Sequence, residues 1–350
     1  MLISNSKKSI FNKAAFSTLA AILIFSISVN SIWSVIAITH AQVSKGKIFV
    51  MYAASLIKTF EEIIGPAFQK ETGYPYQGEA RGSVQIANMI IDGLRKPDFF
   101  VSAGTIPIKK LMNNTSTPFA EWLVKFASAE MVISYSSNSR FYNDLEQART
   151  GHISWHEVLS KPGFKFGRTD PELDPKGYYM IITAKLANLY YNNSGIKQKI
   201  LGEDRNAKQI FPEEILKTIL EQGQLDAVAS YKHEAIARGL PYISLPAQIN
   251  LGDLTFADFY RKASYILESS SQTVFGEPIY FSFTTPITVK NIDGAISFGN
   301  FILSDNGKSI LQEEGLNPIK PAAEGNISNI PSSLRSMIEE ERQVKEATVL

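Results

Sequence analysis

Between residues 47 and 103, short apolar runs of strand length alternate with longer segments of helical period. "KIFVMY", Lys47 to Tyr52, is a nearly continuous apolar run, as a strand buried on both faces must be. In "LIKTFEEIIGPAFQKETG", Leu56, Phe60, Ile63, Ile64, Ala67 and Phe68 recur at helical spacing. Ser55 is placed to cap that helix and Gly73 to close it. "YPYQGEARGS" reads as a strand and turn, "VQIANMIIDGL" as a second helix with Ser83 at its start, and "KPDFFVSAG" as another buried strand. This β-α-β-α-β order calls for a parallel sheet covered by helices.

The alternation continues. "AEMVISYSS" reads as a strand, "WHEVLSKPGFKFGRTDP" as a helix and then a short strand, and "GYYMIITAKLANLYY" as a helix from about Gly177 to Tyr191. "FPEEILKTILEQGQ" is a helix with Pro212 early and acids in its first turn. "LDAVASY" and "GEPIYFSFTTP" are strands, and a final helical region follows without strands of its own, packing back on the first part of the chain. Two lobes joined by more than one crossing account for this order. The expected organisation is residues 45–128 plus 279–331 in lobe I, 129–278 in lobe II, and a charged tail over 332–350 that is mobile or an appended helix.

Ahead of the alternation, Lys7, Lys8 and Lys13 precede an apolar run from Ala14 to Ile38, and Thr39 and Ala41 are spaced like a peptidase site. Residues 1–44 thus read as a secretory signal or, if uncleaved, a membrane anchor. The rest is expected outside the membrane, on the periplasmic or extracellular face. Cysteine is absent, which removes disulfides, thiolate nucleophiles, zinc–sulfur sites and a lipid-modified cysteine. A formal net charge of +1 gives no sign of a nucleic-acid partner.

Four segments have the character of a strand feeding a helix start: "AASL" with Ser55, "ARGSV" with Ser83, "DPKGYY" with Asp174, and "FPEEI" with Glu213 and Glu214. A helix start offers unpaired N–H groups and partial positive charge, so it favours an anion. Taken singly, each of these residues is an ordinary cap. Several such starts in an exported two-lobed α/β chain point to a ligand cleft beyond the strand ends. His152 and His156 stand four apart on an expected helix, too few ligands for zinc, and "ARGSV" is no G-x-S-x-G elbow. The aromatics of "GYY" and "LYY" are expected in the core.

The segments "AASL", "EARGSV", "KPDFFVSAG", "FGRTDPELDPKGYY" followed by "LANLYY", "GQLDAVASY" and "LPYISLPAQINLGD" together resemble the molybdate/tungstate-binding proteins of ABC importers, most closely the archaeal-type branch. The resemblance spans most of residues 47–320. It implies a type II periplasmic-binding-protein fold: two lobes, each a mixed, mostly parallel sheet flanked by helices, with one oxyanion in the cleft between them. The implied contacts fall on Ala54 and Ser55, Ser83, Asp174 with the backbone of Pro175 and Lys176, Glu213 (or Glu214), and Tyr231. The glutamate stands eighteen positions before the tyrosine.

In that branch a carboxylate pair ligates the metal of the oxyanion and makes it six-coordinate, which places direct Mo/W ligands at Asp174 and Glu213. Two carboxylates would otherwise repel a dianion. A hard, high-valent metal prefers oxygen donors, whereas sulfate cannot expand its coordination and would be rejected. This chain departs from the branch in having Lys176 where cysteine is usual and Ser230 where glutamate is frequent. The implied protein is a monomeric receptor without cofactor or catalysis, handing tungstate or molybdate to a permease and its ATPase. An alternative is a receptor for sulfate or phosphate that uses amide and hydroxyl donors only. An enzyme on this fold, such as a porphyrin-pathway deaminase, would need the cysteine that is absent.

Overall fold

The computed structural model describes residues 45–114 and 117–338. The expected export segment, 1–44, lies outside the described residues, as do residues 339–350 of the tail. Twelve strands are described: β1 Ile48–Ala53, β2 Tyr76–Arg81, β3 Phe99–Ala103, β4 Trp122–Ala129, β5 Met131–Tyr135, β6 Phe166–Gly167, β7 Ala227–Tyr231, β8 Tyr242–Ser244, β9 Ser264–Ile266, β10 Thr273–Phe275, β11 Ile279–Thr284 and β12 Asn317–Gly325. They form a six-stranded sheet in the order β12-β4-β11-β3-β1-β2, a four-stranded sheet β6-β7-β5-β8, and the pair β10-β9.

The first half of the six-stranded sheet follows the expected alternation. β1 pairs in parallel with both β2 and β3. The helix between β1 and β2 opens as a 3-10 turn, Ala54–Leu56, and passes through a π-helical stretch, Thr59–Ile64, into Gly65–Thr72. Gly73 closes it at φ 76°, the left-handed cap that glycine permits. The other half corrects the expectation of mostly parallel sheets. β11 lies antiparallel to β3 and β4, and β12 antiparallel to β4. In the four-stranded sheet, β5 is antiparallel to β7 and β8, and only β6 and β7 run parallel. Apolar periodicity reports burial, whereas strand direction depends on how the chain returns from the second sheet.

β12 is a strand where none was expected. Its segment "NPIKPAAEG" carries two prolines, which a sheet accepts only at an edge, and β12 is the edge strand. The final helical region, Ile292–Leu303 and Asp305–Glu313, packs on the six-stranded sheet as expected. Phe298 is its anchor, with ring centroids 5.0 Å from Phe68, 5.2 Å from Phe99, 5.9 Å from Tyr76 and 6.1 Å from Phe60. The described start of the tail, residues 332–338, is helical and buries Leu334 beside Gly299.

The chain leaves the six-stranded sheet through Glu130, the single residue between β4 and β5, and returns into β11. Both crossings are tied to one turn: the Met131 amide donates to Asn250 O (2.8 Å) and the Ile279 amide to Leu251 O (2.8 Å). Leu251 holds φ at 59°, a left-handed conformation that costs a non-glycine residue about 1 kcal/mol or more. The Glu130 carboxylate fastens the turn, accepting from Asn250 Nδ2 at 2.7 Å and pairing with Lys232 Nζ at 2.6 Å. Truncation of the aromatic anchor, Phe298→Ala, is expected to lower unfolding free energy by about 3–5 kcal/mol, measured by denaturant titration.

Candidate functional site

Each predicted residue sits where a strand or loop gives way to a helix. Ala54 and Ser55 follow the end of β1, in the 3-10 turn; Ser55 makes no capping bond there, contrary to expectation. Gly82, not Ser83, takes the cap position of the Ser83–Ile91 helix. The Ser83 hydroxyl oxygen accepts from the Ala103 amide at 3.1 Å, which leaves its proton available. The long helix starts at Pro175 and ends at Tyr190, two residues earlier than expected at its start, with Asp174 as its cap. Asp174 Oδ1 accepts from the Lys176 amide (2.9 Å) and from Thr169 Oγ1 (3.0 Å). Glu213 opens the Glu213–Glu221 helix behind Pro212, and Tyr231 ends β7.

Ala54, Ser55 and Glu213 share a small cavity with Lys217 and Glu234. Gly82, Asp174, Glu213 and Glu214 line a larger one of about 400 Å³. Glu213 stands on the wall common to both. Ser83, Pro175, Lys176 and Tyr231 are buried and line neither. Glu214 is half-buried, with Oε1 3.9 Å from Arg81 Nε, while Glu213 is buried. Ser55 Oγ, Glu213 Oε2 and Tyr231 Oη are buried with no hydrogen-bond partner. Glu214 Oε1, the Tyr178 and Tyr179 hydroxyls and both His233 ring nitrogens are unpartnered as well, and buried polar atoms are rarely left so.

Loops of the two lobes touch across this site. The Gln85 amide donates to Leu173 O (3.1 Å), and Lys58 Nζ donates to Ala237 O. Gly82 makes the approach possible: a Cβ there would stand 2.5 Å from Leu173 O and 3.2 Å from Asp174 Cβ. The cleft is closed.

Beneath it lies a charge cluster that the sequence reading missed. Lys176 Nζ, on a fully buried side chain, reaches Glu213 Oε1 at 2.5 Å and both Glu234 oxygens at 2.8 and 3.0 Å. Lys217 Nζ stands 3.8 Å from Glu234 Oε2 and donates to Ala229 O (3.3 Å). Glu234 Oε2 also accepts from the Tyr231 amide (2.7 Å) and from Ser230 Oγ (3.3 Å). The available signal was a lysine within the apolar run after "DP", a position at which the resemblance uses only the backbone.

Burial opposes charge on Lys176, but Glu213 and Glu234 outweigh it and hold its pKa above the ordinary lysine value. Burial also opposes charge on Glu234, where Lys176, Lys217 and His233 outweigh it and keep the carboxyl well below the usual range. At Glu213 burial is the larger effect and lifts the carboxyl well above that range, against the pull of Lys176. Asp174 is raised by burial as well, with Lys176 opposing. Lys217 is pushed down to about 8 by burial, against Glu234. His233, stacked on Tyr231 and edge-on to Phe281, is pushed by burial to about 4.

Other expectations resolve plainly. His152 lies in a turn and His156 in the separate Trp155–Leu159 helix, so they share no helical face. Tyr178 and Tyr179 are buried as expected, but Tyr190 is exposed. Glu172 does more than shape its turn. It accepts from Tyr265 Oη (2.8 Å) and from the amides of Glu268 (2.9 Å) and Ser269 (3.0 Å), fastening the segment that carries β9 and β10.

Glu172→Ala is expected to cost about 2–3 kcal/mol by stranding those donors. Burial alone would raise the Glu172 carboxyl, but the Ser269 and Glu268 amides outweigh it and hold it below its ordinary value of about 4.5. Its contribution is therefore full above that value and lost as pH falls through the folded pKa. The gap between parent and variant should narrow in acid unfolding curves. Gly82 has a backbone conformation open to any residue (φ −56°), so Gly82→Ala acts through space alone. It is expected to hold the cleft open: small-angle scattering should show a larger radius of gyration with unchanged helix content. An unchanged radius would contradict the role given to Gly82.

A family model described as bacterial extracellular solute-binding protein matches residues 48–317. An uncharacterised solute-binding protein of Petrotoga mobilis is 33% identical over 298 residues, covering 84% of this chain and 90% of its own. The molybdate/tungstate-binding protein WtpA of Pyrococcus abyssi is 30% identical over 317 residues, with coverage of 84% and 90%. Among solved structures, the periplasmic molybdate-binding protein of Azotobacter vinelandii matches with a TM-score of 0.52 at 15% identity, over 77% of this chain and 98% of that one. At that identity the likeness speaks for the fold alone: two lobes with a cleft between them. The chain belongs to the family of bacterial extracellular solute-binding proteins.

Proposed function

We propose that this chain is the extracytoplasmic receptor of an ABC importer and that it captures tungstate or molybdate in the closed cleft. Loading and release follow from hinge motion about the two crossings, and the permease with its ATPase takes the anion onward. No covalent chemistry is required, and the chain acts as a monomer. Uncleaved, residues 1–44 would tether it to the membrane. Among the described residues, no helix is long and apolar enough to cross one.

The observation that carries this reading is the mixed character of the unpartnered set. Ser55 Oγ and Tyr231 Oη are hydroxyls able to donate, but Glu213 Oε2 is a carboxylate oxygen. A fully deprotonated tetrahedral oxyanion such as sulfate offers only acceptors, so it can pair with Glu213 Oε2 only when that carboxyl is in the protonated form that burial favours. An oxyanion built on an expandable metal centre has a use for both, with Asp174 and Glu213 as direct ligands and Ser55, Ser83 and Tyr231 as donors to its oxygens. The helix starts after Ala54 and Asp174 add their partial positive charge. Relatives named for molybdate and tungstate support the same guest.

A second reading, a sulfate or phosphate receptor, draws on one observation: Glu213 Oε1 is already engaged by Lys176. Calorimetric competition among tungstate, molybdate, sulfate and phosphate separates the two. The double variant Asp174→Ala with Glu213→Ala is expected to weaken tungstate binding by about 100-fold or more while circular dichroism stays unchanged. Unchanged affinity in a folded variant would remove the carboxylate ligands from the mechanism.

A further inference from the structure

We propose that the Lys176 side chain, backed by Lys217, is the counter-charge of the site and the residue that lets it accept a doubly charged anion. This rests on the receptor function proposed above. The backbone at this position belongs to the helix start; the ammonium is a separate device.

Three carboxyl groups meet here within buried surroundings: Asp174, Glu213 and Glu234. Two ammonium groups face them, Lys176 and Lys217. Lys176 is the one that both glutamates share, and its Nζ also lies 5.4 Å from the centroid of the Tyr231 ring. Its side chain is sealed from solvent, so salt does not screen its charge, and its effect on an entering anion is far larger than at a surface. Lys217 lines the small cavity but is the weaker partner: it donates to Ala229 O and stands 3.8 Å from Glu234 Oε2, where Lys176 holds both glutamates within 3.0 Å. His233, the remaining titratable neighbour, is held neutral by burial. With the protonation of the carboxyl groups unchanged, the site without Lys176 is one unit more negative. A dianion would then enter a pocket whose acids outnumber its cations by two.

The test is calorimetry on three proteins with tungstate, molybdate and sulfate as the probes. Lys176→Met keeps the length of the side chain and removes its charge; tungstate affinity should fall by about 100-fold. Lys176→Met with Glu234→Gln removes one charge of each sign, and the amide oxygen left at position 234 can still accept from the Tyr231 amide. This double variant should regain affinity to within about tenfold of the parent. A packing role for Lys176 predicts no such rescue. The proposal is overturned if Lys176→Met binds tungstate as the parent does, or if the double variant folds and binds no better than the single. Should Lys176→Met alone fail to fold, the double variant decides: folded and binding supports the proposal, folded and not binding overturns it. A parent protein that binds none of the three anions defeats the functional reading itself, and this inference with it.

Discussion

A buried ammonium determines much of how the second lobe is assembled. Lys176 can be removed from water only where oxygen atoms surround it, because an unpaired buried charge is too costly to keep. Its partners come from the Glu213–Glu221 helix and from the turn after β7, while Lys176 itself belongs to the first turn of the Pro175–Tyr190 helix. One group thus brings three helix starts to a common point. Two of those starts, at Asp174 and Glu213, also line the larger cavity. Breaking the Lys176–Glu234 pair would strand two buried charges, so the arrangement leaves little freedom in how the helices meet.

In the proposed function, that cluster stands beside the joint about which the lobes would move. The lobes are joined at Glu130 and at the return into β11, and both crossings lean on the Asn250–Leu251 turn. The strained Leu251 conformation lies at the turn on which both crossings lean. On the opposite side of the cleft, closure rests on close backbone approach at Gly82. On the proposed reading, closure would seal a bound anion from water and strengthen every charge interaction made with it.

Much of this was legible in the residues. The β1–β3 alternation, the caps at Gly73 and Asp174 and the helical face from Phe60 to Phe68 depend on local periodicity and turn chemistry, and the structure has them. The likeness to oxyanion receptors came from the same local signals. What failed was non-local. β12 was hidden by prolines that only an edge position excuses. β4 was not read as a strand at all, and the direction of β11 was not readable, since burial patterns look alike in either sense. Tyr190 is exposed where the core was expected, because a helix face alone does not say what covers it.

By itself the sequence determined the class of fold, the helix starts that line the cleft, and the family, because each depends on interactions within a few residues of one another. Only the tertiary structure decided that Lys176 contributes its side chain, that Glu234 and Lys217 join it, and that Glu213 is buried with them while Glu214 faces Arg81. Lys176 and Glu213 are 37 residues apart in the chain, and Lys176 and Glu234 are 58 apart. No periodicity links positions at such distances. Charge pairing in a dry interior is decided by which groups packing brings together, and packing is settled by the whole chain at once.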